Sequence, residues 1–225
     1  MKRLVWLAVL GACGDSTAPP IDAAPPPVGL ADLAPVADQM QGQHTVTYET
    51  FRDDDPAQPN CEVENHCVLA TGTRKLLRFP TFAMNTGTAR LELPPVPAPG
   101  AEDATYQWSA CNRKHHVRDF ASFELFDGDH RAAVQRKQAF CVEDSARIVV
   151  GAQSAGFSCT HQGISIGWAD VYETAHECEY LDVTGLAAGT YTLRVTINPS
   201  GTIVEASPNN NVVEWAVTIP PDPAP

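Results

Sequence analysis

An all-β, sandwich-like domain with long loops is the fold class this sequence predicts, on three observations. Apolar and polar residues alternate through several short segments, those segments are rich in β-branched and aromatic residues, and no amphipathic stripe of three or more helical turns is visible. Alternate side chains of a strand share a face, so a period of two gives a sheet one dry side. Sheets patterned in this way bury that side against each other.

Taken in order, residues 44–51 (HTVTYETF) alternate, and residues 76–82 (LLRFPTF) form an apolar run broken by Pro80. Residues 120–126 (FASFELF) are aromatic-rich, and residues 147–150 (RIVV) are short and β-branched. Near the end, residues 190–197 put Tyr191, Leu193, Val195 and Ile197 on one face, and residues 211–219 do the same with Val213, Trp215, Val217 and Ile219. The turns around Gly189 and between Pro199 and Asn210 are rich in Gly, Pro, Ser and Asn.

The first residues read as an address. Residues 1–12 combine Lys2 and Arg3 with an apolar run from Leu4 to Leu10, the pattern of a secretory signal peptide. Leu10, Gly11, Ala12 and Cys13 resemble a bacterial lipobox, which implies cleavage before Cys13 and lipidation of that cysteine. A plain signal peptide with an incidental cysteine is the other reading. Residues 13–29 are a Pro- and Ala-rich tether with too little apolar surface to offset the entropy of ordering it. Residues 30–220 form one domain, and residues 221–225 a disordered tail. No apolar run approaches the roughly 18 residues of a spanning helix. The expected location is therefore extracytoplasmic, in a bacterial cell envelope, with acyl chains as the link to the membrane.

Removing Lys2 and Arg3 leaves 13 basic residues against 27 acids, so the mature net charge is 13 − 27 = −14. That argues against nucleic acid or an anionic membrane surface as a partner, because phosphate binding is carried by Lys and Arg. A negative surface attracts a lysine-rich protein or an amine; it also simply keeps an exported protein soluble. With Cys13 acylated, Cys61, Cys67, Cys111, Cys141, Cys159 and Cys178 remain, an even number that suggests three disulfides in an oxidising compartment. A zinc site is the alternative, but no pair has the short C-x2-4-C spacing that zinc prefers.

One stretch carries a specific resemblance. Residues 108–127 (WSACNRKHHVRDFASFELFD) are similar to the copper-binding segment of the lysyl oxidase family, with Trp108, Cys111, His116, Phe120, Leu125 and Asp127 matching its pattern. Further matches follow in order: Ala31-Asp32-Leu33, Cys61-x5-Cys67, Leu77-Arg78-Phe79-Pro80, Asn85-x-Gly87-Thr88, Phe140-Cys141-Val142-Glu143-Asp144, Gln162-Gly163-Ile164-Ser165, Asn198-Pro199-Ser200 and Asn210-Asn211-Val212-Val213. The resemblance implies the family's disulfide framework, Cys61 with Cys111, Cys67 with Cys178 and Cys141 with Cys159.

It also implies an activity: a protein-lysine 6-oxidase, a copper amine oxidase that deaminates peptidyl lysine or small primary amines through a lysine tyrosylquinone. Lys137 in Lys-Gln-Ala-Phe-Cys and Tyr172 in Gly-Trp-Ala-Asp-Val-Tyr match the two precursors of that quinone, and Asp170 is the candidate base or orienting group. The three copper ligands of the resemblance fall on Asn112, Lys114 and His116. Alternate strand residues deliver three imidazoles to one point, but an Asn amide is a poor copper ligand and a Lys ammonium is repelled by the cation. His115 should point to the opposite face unless a bulge turns it, and His130, His161 and His176 could converge from elsewhere. The expectation is a pseudoenzyme without copper or quinone, acting as a binding or structural module. The alternative is an active amine oxidase. A calcium site is further implied at Asp32, the carbonyl of Leu33, Glu205, Ser207, Asn210 and Asn211, with Ser207 standing where an Asp is expected.

Overall fold

The computed structural model describes residues 29–53, 60–139 and 141–223, with the backbone alone at 137–139. The signal peptide, Cys13 and all of the tether before Gly29 lie outside the described residues. The strands in chain order are β1 (Leu33–Pro35), β2 (Thr45–Phe51), β3 (Gly72–Arg78), β4 (Thr81–Asn85), β5 (Leu91–Glu92), β6 (Tyr106–Ser109) and β7 (Lys114–Asp127). They continue with β8 (His130–Ala139), β9 (Ala146–Arg147), β10 (Gly163–Ile164), β11 (Trp168–Tyr172), β12 (Tyr180–Asp182), β13 (Gly189–Ile197) and β14 (Val212–Ile219). Helical structure among the described residues is limited to single turns at Ala37–Met40, Cys61–Glu64 and Pro208–Asn210. The class is all-β, as the alternation predicts.

The largest sheet runs β14-β13-β7-β6 with β8 paired to β7. Its register sets Leu193 between Trp215 and Leu125. The predicted faces are the buried ones: Tyr191, Leu193, Val195 and Ile197 on β13, and Val213, Trp215, Val217 and Ile219 on β14. The β12-β3-β2 and β1-β4-β11-β9 sheets share the main hydrophobic core of this sheet, through Leu77 and Leu181 of the one and Leu33, Ala83 and Tyr172 of the other. Phe79, between β3 and β4, packs on the large sheet, meeting Phe123 edge-on with centroids 4.7 Å apart and Trp215 at 6.1 Å. Phe79 sits where Pro80 removes a ladder donor, so residues 76–82 are the end of β3 and the start of β4 rather than one strand.

Two expectations are corrected. The strand predicted at 147–150 stops at Arg147, because the N–H groups of Ile148 and Val149 both donate to the Gly167 carbonyl and the chain then turns at Gly151, φ 87°. Nor is the tail from 221 disordered as far as Asp222. The Lys75 ammonium, almost fully buried, donates to Asp222 Oδ1 at 2.7 Å and to the Pro220 carbonyl at 2.6 Å. Burial alone would lower the Lys75 pKa; the Asp222 hydrogen bond and charge outweigh it and raise it.

β7 is twice as long as the sequence predicts because its first half carries charged and polar residues that mask the alternation. At Lys114, His115 and His116 it pairs with β6 alone, whereas from Ala121 to Phe126 it lies between β13 and β8. Three disulfides, Cys61–Cys111, Cys67–Cys178 and Cys141–Cys159, join the loops around that first half, in the pairing the resemblance implies.

Candidate functional site

The open end of β7 forms one wall of a cavity of about 570 Å³. Lys114 and His116 face it, as strand periodicity requires, with Asn112 from the turn before β7, Arg136 of β8 and Asp170 and Tyr172 of β11. The loop after β11 adds His176, and Asn65 closes the side. Two of the disulfides fasten this rim: Cys61–Cys111 ties the Asn65 loop to the turn before β7, and Cys67–Cys178 ties it to the loop bearing His176. Two-residue spacing therefore brings Asp170 with Tyr172, and Lys114 with His116, into one cavity, which Asn112 joins from the turn.

The environment of each group follows from its position. Tyr172 is buried, its ring edge-on to Phe120 at 6.3 Å and to His176 at 6.1 Å. Asp170 is 2% exposed, and Ser145 Oγ donates to its Oδ1 at 3.2 Å. Burial drives its pKa up to about 7, against the opposing hydrogen bonds of Tyr172 and Ser145. A carboxyl in that range can hold or release a proton near neutrality.

The donor set does not suit copper. Asn112 Oδ1 is engaged by Asn65 Nδ2 and lies 3.0 Å from Ser109 Oγ, so its one usable oxygen is taken within the protein. Lys114 contributes a cation. His176 is the other imidazole on the cavity, and its Nδ1 is engaged within its own loop, 2.8 Å from the Glu173 backbone nitrogen. His115 is buried on the far face of β7 against Trp108, with Nε2 at 2.8 Å from the Ala101 carbonyl. His130 begins β8 at the far end of the β7–β8 hairpin, and His161 bonds Glu92, so neither joins the cavity as the sequence had allowed. Among the described residues, the single group of three potential ligands is Cys141, Glu143 and Cys159, and its two sulfurs are joined in a disulfide. Lys137 lies on β8 in register with Ala121; its side chain, like Phe140, is outside the described residues.

A family model described as lysyl oxidase matches residues 50–222. This chain belongs to the lysyl oxidase family. It is 32% identical over 203 residues to a protein-lysine 6-oxidase of Sus scrofa, covering 84% of this chain and 76% of that protein. Lysyl oxidase homolog 1 of Homo sapiens is 29% identical over 197 residues, and the chain spans 32% of its length. The protein-lysine 6-oxidase of Homo sapiens is 32% identical over 167 residues, with 38% of its length spanned.

At the other position where the lysyl oxidase resemblance implies a metal, the structure assembles all six residues. Glu205 Oε2 accepts the Leu33 N–H at 2.9 Å, and its Oε1 accepts the side-chain amides of Asn198 and Asn211. Asp32 Oδ1 accepts the Ser207 N–H at 2.8 Å, and its Oδ2 accepts Asn210 Nδ2 at 2.8 Å. Sequence reasoning missed Asn198, which is held at φ 49° and braces the Ile203 backbone in both directions. It also missed Asn65, Ser145 and Arg136. The signal for Asn65 was its place between Cys61 and Cys67, whose partners frame the cavity; Arg136 and Ser145 carried none.

Proposed function

We propose that this lysyl oxidase family member is an extracytoplasmic lipoprotein whose cavity has left copper and quinone chemistry and serves as a binding or structural module. One observation carries the reading: at the three positions where the resemblance implies copper ligands, a single imidazole, His116, lines the cavity with an amide already engaged and an ammonium. Copper(II) needs several nitrogen donors together, and a fixed positive charge beside them opposes a cation. Without the metal, nothing at Tyr172 supplies the oxidation that a quinone needs. The partner of the module is an amine-bearing or lysine-rich molecule, drawn by the mature charge of −14. Acylation at Cys13 holds the chain at the envelope; labelled palmitate incorporation abolished by Cys13→Ser tests that part.

The catalytic part is tested on full-length protein produced with copper in the medium. Metal analysis should find only trace copper, the visible spectrum should lack quinone absorbance, and phenylhydrazine should leave Tyr172 unmodified. Stoichiometric copper with a hydrazine adduct at Tyr172 would instead establish an active amine oxidase.

Calcium belongs to the same proposal. The residues at the Asp32–Glu205 cluster suit a hard cation, since they offer two carboxylates and the buried Oδ1 of Asn211, which no donor satisfies among the described residues. Asp32, the Leu33 carbonyl, Glu205, Ser207, Asn210 and Asn211 would hold it. Its contribution would be structural, tying the N-terminal strand to the β13–β14 hairpin.

A further inference from the structure

We infer that the end of the β1-β4-β11-β9 sheet from which the N-terminal segment departs is a membrane-docking face, whose partner is the headgroup and acyl boundary of a lipid bilayer. The inference rests on the proposed acylation of Cys13 for its supply of membrane nearby. Neighbouring strands of this sheet are antiparallel, so the start of β1, the end of β4, the start of β11 and the end of β9 all lie at one end. Hydrogen bonds join them there. Leu30 O accepts Thr88 N–H and Ala89 N–H, Asn85 Nδ2 donates to Ala89 O, Gly167 N–H donates to Asn85 O, and Gly167 O accepts from Ile148 and Val149.

Four of the nine exposed large hydrophobic residues among the described ones belong to this end: Leu30, Val149, Ile166 and Val150, the last 99% exposed. Single exposed apolar residues are ordinary, whereas a concentration of them marks a contact surface. The tip is also built to stand out. Trp168 Nε1 donates to the Gln153 carbonyl at 2.8 Å, and the Arg147 guanidinium lies over the Trp168 ring at 5.0 Å. Gly167, at φ +77°, lets Val149 and Ala152 pack where a Cβ would meet both at 3.0 Å. A loop braced in this way presents valines that it could otherwise have folded inward.

Two cationic side chains lie here although the whole chain is acidic. Arg147 and Arg90 flank the tip, while Asp144 and Asp32, carboxylates at the same end, are engaged within the protein: Asp144 accepts the N–H groups of Gly156, Phe157 and Ser165 and the Ser165 hydroxyl, and Asp32 accepts the Ser207 N–H, the Asn210 side-chain amide and the Thr86 hydroxyl. Basic side chains and an indole beside exposed aliphatic groups suit the interface, where one end of each is dry and the other wet. The tether decides for lipid over a second protein. Residues 14–29 span on the order of 50 Å at full polyproline extension, and they enter the domain at Leu30, on this face. An acylated Cys13 thus keeps the patch within reach of the membrane at high effective concentration, so a patch too small to bind alone still docks.

The test uses the full-length acylated protein in vesicles of phosphatidylethanolamine and phosphatidylglycerol, with hydrogen exchange read on peptides covering residues 149–152 and 164–168. Exchange there should slow roughly tenfold against the Cys13→Ser chain in solution. Val150→Asp should restore the fast rate while the chain stays vesicle-bound through its anchor; that residue is too exposed for the change to unfold the domain. Bound, acylated protein with unchanged exchange in these peptides would overturn docking and leave the anchor standing. Protection on vesicles without acylation would remove the anchor and keep the face. Absence of both acylation and protection would overturn both, and concentration-dependent protection without vesicles would assign the face to a second copy of the chain.

Discussion

The two places where the family resemblance implies a metal differ within one molecule. Around β7, two of the three ligand positions that the resemblance implies hold Asn112 and Lys114, whereas at the Asp32–Glu205 cluster five of six hold the expected oxygen chemistry. The difference follows from what each set of side chains supports. Glu205 alone satisfies three buried donors on two separate segments, so losing it strands buried N–H groups, and Asp32 bridges to Ser207 and Asn210. Asn112 and Lys114 sit at the rim, where β7 has a single neighbour.

The sharpest way to break this contrast is to put the ligands back. Asn112→His with Lys114→His should take copper content from trace to stoichiometric, read by elemental analysis, at a stability cost of about 1 kcal/mol for the lost Asn65 and Ser109 contacts. A double variant that still takes no copper would mean that the cavity, not the donor set, has changed. Next in size, Glu205→Ala should lower unfolding free energy by about 4 kcal/mol in urea with the disulfides intact, because three donors lose one charged acceptor. Calcium at about a hundred times its dissociation constant should add about 2.7 kcal/mol, seen as a rise in Tm that Glu205→Ala abolishes. An unchanged Tm would leave the cluster held by its own N–H groups.

Smaller is the pH response of Asp170. Its folded pKa, about 7, stands above the ordinary 3.8, so between those values the folded protein keeps a proton that the unfolded chain releases. Stability from this group is complete below 3.8 and falls as pH rises toward 7, by at most about 1.4 kcal/mol per unit, with no further change above. Asp170→Asn should flatten that slope. Smallest of all, the exposed Lys114→Ala should move stability by no more than about 0.5 kcal/mol.

How much of this was legible in the sequence depended on whether a residue's role repeats locally. The faces of β13 and β14 were, since every second residue is apolar. The first half of β7 was not, because Lys114 and His116 face a wet cavity and Arg118 pairs with Glu102, which breaks the alternation, and only the motif pointed there. Residues 147–150 misled, since a β-branched run reads as a strand whether its valines end inside a sheet or outside it. Asp222 was invisible for a different reason: nothing near it in sequence tells that a buried Lys75, more than a hundred residues earlier, needs a counter-charge.

β7 itself carries a consequence for how such a protein changes over generations. Its far half is clamped between two neighbours and fills the core, while the near half, only a few residues away, hangs on one. Mutations are therefore filtered severely at one end of a single strand and barely at the other. A lineage could abandon its ancestral reaction, try other residues around the hollow, and never pass through an unfoldable intermediate.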